Sequence, residues 1–340
     1  MKPLRFAMIG AGFWSRYQLS AWGELQGAEC VAICDLDRRR AEERARESGV
    51  PAVYDDPHQL LRSESLDFVD IVTSAESHAG LVELAAANRV AAICQKPLAP
   101  SLNEARRMVE CCARAGVPLL VHENWRWQAP IRAARKILEA GTIGRVFRAR
   151  VQFVNSFPVF LNQPSLKELD RFILVDIGTH ILDAARFLFG EATSVHCQTA
   201  RVNPEIRGED VATVMLSAGD ACVVCLMSYA SRVEQDCFPE TFLFIEGEQG
   251  SIELGPDFWL RVTTAAGTTS RQITSPRYQW ADPAYDLVHA SMVPCHENLL
   301  QSLCGAGAAE TTGSDNLKTL RLVEAAYESA STGHSVKVGD

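Results

Sequence analysis

Short continuous apolar runs, separated by amphipathic stretches, fill roughly the first 120 residues, and this alternation constrains the fold more than any other feature. The apolar runs predict five strands: Leu4–Ile9, Cys30–Cys34, Phe68–Val72, Val90–Cys94 and Pro118–Val121. The stretches between them predict four helices: Trp14–Glu24, Arg38–Ser48, Ser77–Asn88 and Ser101–Ala115. Because continuous rather than alternating apolar runs indicate strands buried on both faces, the pattern favours an α/β fold with a doubly wound parallel sheet.

The pattern of predicted helices and strands changes after residue 122. Three longer elements come first, a helix, a strand and a second helix: Ala129–Ala140, Arg145–Phe157 and Leu174–Phe189. From Ala192 to Ile273 consecutive strand patterns are broken by Gly and Asp turns, which indicates a large, mostly antiparallel open sheet. Two helices follow, near Pro283–Cys304 and Asp315–Ser331. We therefore predict a nucleotide-binding domain over residues 1–122 and an α+β domain over residues 123–340, whose final helix packs back on the first domain.

Composition excludes several classes of protein. The net charge of −9 over 340 residues argues against a nucleic-acid partner, which requires a clustered basic surface. No apolar run is long enough to span a bilayer, and the N-terminus leads directly into a strand, so we expect a cytoplasmic protein. The eleven cysteines are expected to be reduced thiols. Cys222 and Cys225 share a strand and should face opposite sides, so we expect no metal site.

A glycine turn follows the first strand. Gly10 permits a tight turn, Gly12 lets a pyrophosphate approach the backbone, and Ser15 is small enough for close helix packing. Asp35, at the end of the second strand, could accept hydrogen bonds from the ribose hydroxyls, which favours NAD over NADP. The arginines that follow it, Arg38–Arg40, keep NADP open. The alternative is a structural turn next to a solvated aspartate.

Two further features carry acid–base chemistry. Lys96 comes at the carboxyl end of a strand, the side on which open parallel sheets bind ligands, and Pro97 fixes the backbone beside it. In the predicted helix Leu174–Phe189, the side chains of Asp176, His180 and Asp183 fall on one stripe, suited to proton transfer. A lone lysine or histidine would more often be structural, so these residues gain weight only in combination.

The combination resembles the Gfo/Idh/MocA oxidoreductases over almost the whole chain. The similarity is carried by "GAGFWS", "VAICDLD", the Lys96–Pro97 pair after a strand, and "VDIGTHILDAARFLFG". The resemblance implies an N-terminal Rossmann fold that binds NAD(P), and a second domain that presents a sugar or polyol and forms a homodimer or homotetramer through its sheet. It also implies that Lys96, Asp176 and His180 form the catalytic set.

The site expected on this basis extends beyond those three residues. The cofactor would be bound by Gly10, Gly12, Phe13, Trp14, Asp35, Ser74, His78, Gln95 and Lys96. The substrate would be bound by Arg126, Trp127, Asn155, Arg171, Asp176 and His180. Two positions depart from the family pattern, since Gln95 replaces a common glutamate and Ser74 a common proline.

The predicted activity is oxidation of a carbohydrate hydroxyl with NAD, NADP remaining possible. Two alternatives use the same fold. One is a glycosidase that uses NAD transiently and yields no net NADH. The other is a non-catalytic, nucleotide-dependent regulator, which would have no need for Lys96, Asp176 and His180 together.

Overall fold

The fold is described from a computed structural model that covers residues 2–234 and 238–339. The chain divides into two compact units. Unit 1 comprises residues 2–123, 278–281 and 292–318, and unit 2 comprises residues 124–234, 238–277, 282–291 and 319–339. The predicted domain ranges, 1–122 and 123–340, stay a prediction.

Unit 1 contains a six-stranded sheet in which every pair of neighbours is parallel. Its strands are β1 (Leu4–Ile9), β2 (Ala28–Cys34), β3 (Ala52–Tyr54), β4 (Phe68–Ile71), β5 (Ala91–Gln95) and β6 (Leu119–His122). They lie in the order β3-β2-β1-β4-β5-β6. The connecting helices are α1 (Phe13–Gly23), α2 (Arg38–Ser48), α3 (Pro57–Ser63), α4 (Ala75–Ala87) and α5 (Leu102–Ala115). The predicted doubly wound parallel sheet is confirmed, and its carboxyl edge collects the ends of β2, β1, β4 and β5.

The sequence patterns missed β3 and α3. The strand β3 is three residues long and only half-buried, so it carries no continuous apolar run. The helix α3 has seven residues, and its start is marked by Asp56, whose side chain accepts a hydrogen bond from the His58 backbone N–H at 2.9 Å. Elements this short hold too few apolar positions to show a period.

Unit 2 contains a nine-stranded sheet of mostly antiparallel strands, as predicted. Its strands are β7 (Val146–Val154), β8 (Ala192–Ala200), β9 (Val211–Ala218), β10 (Ala221–Ser228), β11 (Phe242–Gly247), β12 (Gly250–Leu254), β13 (Trp259–Thr264), β14 (Gly267–Gln272) and β15 (Val336–Lys337). They lie in the order β14-β13-β12-β11-β7-β10-β9-β8-β15, and only β7 and β10 pair in parallel. Buried and exposed residues alternate along β9 and β10, so one face of the sheet is covered and the other is not.

The remaining helices are α6 (Ala129–Glu139), α7 (Ile177–Phe189), α8 (Asp286–Leu303) and α9 (Gly313–Thr332). Helix α7 packs on β7 and β10. The predicted start of this helix at Leu174 is wrong, because residues 173–176 form turns and Asp176 is the N-cap. The backbone N–H of Gly178 donates to the Ile173 carbonyl at 2.8 Å. A Cβ on Gly178 would lie 3.2 Å from the same oxygen, so this glycine serves close packing rather than ligand approach.

Within residues 2–234 and 238–339, no helix combines the length and apolarity needed to cross a membrane. The ten cysteines in those ranges are free thiols, and Cys237 lies outside them. Cys222 is exposed and Cys225 is buried, which confirms that the two face opposite sides of β10. The same ranges contain no cluster of His, Cys, Asp or Glu suited to a metal ion.

Candidate functional site

The glycine turn between β1 and α1 requires a glycine at its first position. Gly10 has a φ of +108°, and a Cβ added to it would lie 2.2 Å from the carbonyl oxygen of Val72 in the loop after β4. The Gly10 backbone N–H donates to the Cys34 carbonyl at 2.7 Å. The turn is therefore pinned between the ends of two neighbouring strands, and a side chain cannot be added there without moving the backbone.

Gly12 is different, because the space beside it is open. It is the exposed N-cap of α1, no side chain caps it, and a Cβ there would have no neighbour within 4 Å. The buried hydroxyl of Ser15 donates to the Gly12 carbonyl at 2.7 Å, which holds the turn against the helix. A helix start of this kind, open and without a side-chain cap, suits an anionic phosphate.

Asp35 is bonded to this turn. Its Oδ2 accepts from the Ala11 backbone N–H at 2.7 Å, and its Oδ1 accepts from the Asp37 backbone N–H at 2.9 Å. Each carboxylate oxygen can accept a second hydrogen bond, so the group retains capacity for two ligand hydroxyls. The carboxylate is thus fixed beside the turn, as the predicted ribose contact requires.

The three arginines after Asp35 pair with carboxylates on or beside α2. Arg38 lies 3.0 Å from Glu42 and 3.6 Å from Asp55, while Arg39 and Arg40 lie 3.9 Å and 3.5 Å from Asp37. These pairs are exposed, so they compete only weakly with a phosphate for the arginines.

Phe13 and Trp14 begin helix α1 and are half-buried. Their rings are 5.2 Å apart and nearly perpendicular, and both pack on a cluster that includes Tyr17, Ala21 and Met292. Their aromatic packing anchors the start of α1. The predicted cofactor contact of these two residues stays a prediction.

Lys96 immediately follows β5, on the same sheet edge as the glycine turn and Asp35. Its peptide bond to Pro97 is cis, and its backbone N–H donates to the Oε1 of Gln95 at 3.0 Å. The Gln95 side chain makes two further contacts. Its Nε2 donates to Gln18 Oε1 at 2.7 Å and lies 3.2 Å from His122 Nδ1. The Gln95 side chain therefore holds the backbone of Lys96 in place.

His78 is buried in α4 and connects two loops. Its Nδ1 lies 3.1 Å from the Pro97 carbonyl oxygen and 3.2 Å from that of Leu98, and its Nε2 lies 3.1 Å from the Thr73 carbonyl oxygen. Burial lowers the pKa of this imidazole, against the opposing effect of the three carbonyls. The position of His78 indicates that it holds the Lys96 loop to the loop after β4.

Ser74, by contrast, is exposed at the N-cap of α4, with no hydrogen bond from its side chain to the helix. Its carbonyl accepts from the backbone N–H of Ser77 at 3.0 Å. It stands on the same sheet edge as Lys96, one strand away. The structure thus leaves Ser74 accessible to a ligand.

Asp176 precedes helix α7 rather than lying on its stripe. The hydroxyl of Tyr229 donates to Asp176 Oδ2 at 3.3 Å. Burial and the nearby carboxylate raise the pKa of Tyr229 well above its ordinary value, so the phenol stays protonated and remains a donor. Tyr229, which the sequence patterns did not identify, therefore fixes this carboxylate.

His180 lies one turn into α7 and is 6% exposed. Its ring stacks on Trp125, with centroids 4.7 Å apart and planes inclined by 22°. The indole Nε1 of Trp125 donates to the Thr241 hydroxyl at 2.9 Å, so the stacking surface is itself held in place. The orientation of the imidazole is thus set by an aromatic partner as well as by the helix.

Asp183, the third polar residue of the predicted stripe, has a different role. Its carboxylate accepts two hydrogen bonds from Arg126, from Nε at 2.7 Å and from Nη2 at 2.6 Å. Arg186 lies 3.6 Å from the same carboxylate, and the Thr319 hydroxyl donates to it at 3.2 Å. The pair is buried, and it holds the segment before α6 against α7. The predicted substrate contact of Arg126 stays a prediction.

The other predicted substrate residues occupy defined positions in unit 2. The guanidinium of Arg132 lies over the ring of Trp127, 4.2 Å from its centroid. Asn155 is buried after β7, and its Oδ1 accepts from the Phe157 backbone N–H at 3.0 Å.

Arg171 lies over the ring of Tyr327 at 3.8 Å and 3.0 Å from Glu324, both on α9. The guanidinium is thus engaged with α9. A substrate contact remains only a prediction for Trp127, Asn155 and Arg171.

Within each unit, the structure brings together much of what the sequence predicted. In unit 1, Asp35, the Gly10–Gly12 turn, Ser74 and Lys96 follow four adjacent strands at one sheet edge. In unit 2, Asp176 and His180 stand at the start of one helix. Hydride transfer from a carbohydrate hydroxyl requires a bound nicotinamide and a group that accepts the hydroxyl proton, and the catalytic role of these residues stays a prediction.

Comparisons with known proteins agree with this architecture. Residues 4–123 match the family model described as "Oxidoreductase family, NAD-binding Rossmann fold", and residues 131–253 match the Gfo/Idh/MocA C-terminal domain. The chain is 46% identical to a D-apiose dehydrogenase of Paraburkholderia graminis, covering 99% of this chain and 90% of that protein. It is 43% identical to a D-apiose dehydrogenase of Rhizobium rhizogenes, covering 100% and 99%.

Among solved structures, an oxidoreductase from Agrobacterium radiobacter in complex with NAD+, L-tartaric acid and magnesium superposes with a TM-score of 0.97. It is 43% identical and covers 99% of this chain and 98% of that one. The matched residues extend over both units. The chain therefore belongs to the Gfo/Idh/MocA family of NAD-binding oxidoreductases.

Proposed function

We propose that the protein is an NAD-dependent dehydrogenase that oxidises a hydroxyl group of a carbohydrate, and that D-apiose is its substrate. The observation that carries the reaction class is the placement of Lys96 on the same sheet edge as the Gly10–Gly12 turn and Asp35. The choice of sugar is supported by the two D-apiose dehydrogenases, at 46% and 43% identity over nearly the full chain.

Unit 1 would hold the cofactor through the glycine turn and Asp35. The open space at Gly12 and the uncapped start of α1 fit a pyrophosphate. Asp35, fixed by the Ala11 and Asp37 backbone N–H groups, would accept hydrogen bonds from the ribose hydroxyls and repel a 2′-phosphate.

Three side chains of the protein would accept the hydroxyl proton or stabilise the charges that form. When bound, NAD accepts the hydride that leaves the carbon. A ring nitrogen of His180 would take the hydroxyl proton, with the imidazole aligned by Trp125. Asp176, held by the Tyr229 hydroxyl, would stabilise the resulting imidazolium. The ammonium of Lys96 would stabilise the charge that develops on the substrate oxygen.

The test is a panel of sugars assayed with NAD and with NADP, following the absorbance of the reduced cofactor. D-apiose with NAD should give a steady rise, at a rate at least about tenfold above that with D-xylose or myo-inositol, since hydroxyls in a different arrangement leave polar groups of the site unpaired. A higher rate on another sugar would overturn the assignment of D-apiose. Sugar turnover without net NADH would overturn the dehydrogenase assignment and favour the NAD-recycling glycosidase.

We also propose that the open sheet of unit 2 joins copies of the chain into a dimer or tetramer. The uncovered face carries half-exposed apolar side chains on its central strands, from β9 to β11: Met215, Val224, Leu226, Phe242 and Phe244. An apolar surface of this kind suits an interface between copies. Light scattering coupled to gel filtration should give at least twice the chain mass, and L226E should reduce it to one chain. A monomeric wild type would contradict the proposal.

A further inference from the structure

A chain of buried or half-buried polar groups runs from Lys96 into the interior of unit 1. The Lys96 backbone N–H donates to Gln95 Oε1 at 3.0 Å, and Gln95 Nε2 donates to Gln18 Oε1 at 2.7 Å. Gln18 Nε2 then donates to Asp70 Oδ1 at 2.7 Å, while Trp22 Nε1 donates to Asp70 Oδ2 at 2.8 Å. Neither Gln18 nor Asp70 exposes any surface to solvent.

The direction of every hydrogen bond in this chain is forced by its two ends. A backbone N–H such as that of Lys96 can only donate, so the oxygen of Gln95 must face it and the Gln95 amide nitrogen must face Gln18. Gln18 must then present its oxygen to Gln95 and its nitrogen to Asp70. Asp70 must accept from both Gln18 and Trp22, which an ionised carboxylate does and an amide cannot.

This polarity matters because water cannot repair a reversed bond in the interior. A buried donor facing a donor costs the desolvation of both groups. Burial raises the pKa of Asp70 to about 7, with the hydrogen bonds from Trp22 and Gln18 acting against it. Above that pH the carboxylate is ionised and the chain has its required acceptor.

We propose that Asp70 is a positioning residue for Lys96, and that it acts through the amides of Gln18 and Gln95. The proposal deepens the proposed function and rests on the catalytic role given there to Lys96. Asp70 lies inside β4, and its two carboxylate oxygens are engaged by Gln18 and Trp22. Its part is to fix which atom of Gln95 faces the backbone of the lysine.

The proposal predicts how substitutions at positions 70 and 95 change the direction of these hydrogen bonds. In D70N, the amide keeps its oxygen for Trp22 and turns its nitrogen toward Gln18, which reverses both glutamines and leaves the Lys96 N–H facing a donor. In Q95E, two carboxylates compete for the single NH₂ group of Gln18. In the double variant D70N/Q95E, the new amide at position 70 donates to Gln18, and Gln18 donates to the new carboxylate at position 95. That carboxylate accepts from the Lys96 N–H and, once the ring proton of His122 moves to Nδ1, from His122, so the direction of the whole chain is consistent again.

The test is this double-mutant cycle, measured at about pH 8.5, well above the pKa of Asp70. The first readout is kcat with NAD and sugar, and the second is hydrogen exchange of the Lys96 backbone N–H, which is well defined because Pro97 has none. We expect each single variant to lower kcat by about tenfold or more, and D70N to speed the exchange. The double variant should return both quantities to within about threefold of wild type.

W22F is the matched control, because it removes one donor to Asp70 and leaves the direction of the chain unchanged. It should leave kcat and the exchange at Lys96 within about threefold of wild type, whatever its effect on stability. Additive losses in the double variant, or a W22F variant as impaired as D70N, would overturn the positioning role. The proposed function is tested separately, and it fails if Lys96→Met keeps its turnover or if no sugar is oxidised. The two failures can be distinguished because the exchange readout does not depend on activity.

Discussion

Arg126 and Asp183 form a two-point ion pair in the interior of unit 2, with Nε–Oδ2 and Nη2–Oδ1 distances of 2.7 Å and 2.6 Å. Arg126 is only 6% exposed and Asp183 is fully buried. Removing one partner would take a two-point ion pair away from the other charge, at a place that water does not reach. The pair therefore joins the segment before α6 to α7, the helix that carries His180.

From this pair we predict that D183N lowers the free energy of unfolding by about 3 kcal/mol or more, because the buried Arg126 guanidinium loses its two-point carboxylate partner. Urea unfolding of the variant and the wild type measures the change. The control is Arg114→Gln, which breaks an exposed pair with Glu110 on α5 and should change stability by less than about 1 kcal/mol. Equal effects of the two substitutions would contradict the structural role of Asp183.

The two glycines of the phosphate turn should respond differently to alanine. G10A forces a Cβ to within 2.2 Å of the Val72 carbonyl oxygen at a φ of +108°, so we expect a loss of stability of several kcal/mol. G12A has open space and an ordinary φ of −75°, so its stability should stay within about 1 kcal/mol of wild type. If a pyrophosphate approaches there, the dissociation constant for NAD should nevertheless rise by about tenfold or more in G12A. Calorimetry measures the affinity of G12A for NAD, and an unchanged affinity would contradict the assignment of Gly12 to the cofactor site.

For Lys96, we predict that K96M lowers kcat by on the order of 10²–10³ while the dissociation constant for NAD changes by less than about threefold, since the ammonium acts on the reacting oxygen. Stopped-flow turnover and fluorescence titration of NADH measure the two quantities. K136M, at an exposed position of α6, is the control and should behave as wild type. Retained turnover in K96M would end the catalytic assignment.

The hydroxyl of Tyr229 should affect turnover rather than cofactor binding. Y229F removes the donor to Asp176 Oδ2, and we expect kcat to fall by about tenfold with NAD affinity unchanged. Y54F is a matched control, because it also removes a tyrosine hydrogen bond to a carboxylate, from Tyr54 to Glu64 at 2.9 Å. The positioning role of Tyr229 would be contradicted if both variants lost the same activity, or if the loss in Y229F lay in KM alone.

The sequence predicted those parts of the fold and site that depend on local patterns. Continuous apolar runs located the strands β1, β2, β4 and β5, and the turn at Gly10 with Asp35 located one edge of the sheet. It failed where the decisive partner is remote in the chain. Tyr229 is 53 positions from Asp176, and Asp183 is 57 positions from Arg126.

Neither of those pairs leaves a periodic signal, because each forms only after β-strand or helix packing. The start of α7 was misplaced because the turn at residues 173–176 continues the apolar pattern of the helix, while its backbone hydrogen bonds do not follow the regular helical spacing: Val175 donates to Phe172 and Gly178 donates to Ile173. One signal was available, since Asp70 stands inside the apolar run "FVDIV" and a charged residue in a buried strand requires partners.

The same Asp70 should give the protein a distinctive pH dependence of stability. Burial raises its pKa from 3.8 to about 7 in the folded protein, so between those values the native state holds a proton that the unfolded chain has released. The free energy of unfolding therefore falls as the pH rises from about 4 to about 7. A solvent-exposed aspartate would contribute no change over this range. Between those pH values, wild type should lose on the order of 4 kcal/mol of unfolding free energy relative to D70N, which has no proton to release. Urea unfolding of both proteins across this range measures the difference, and parallel curves would show that Asp70 is ionised in the folded protein throughout.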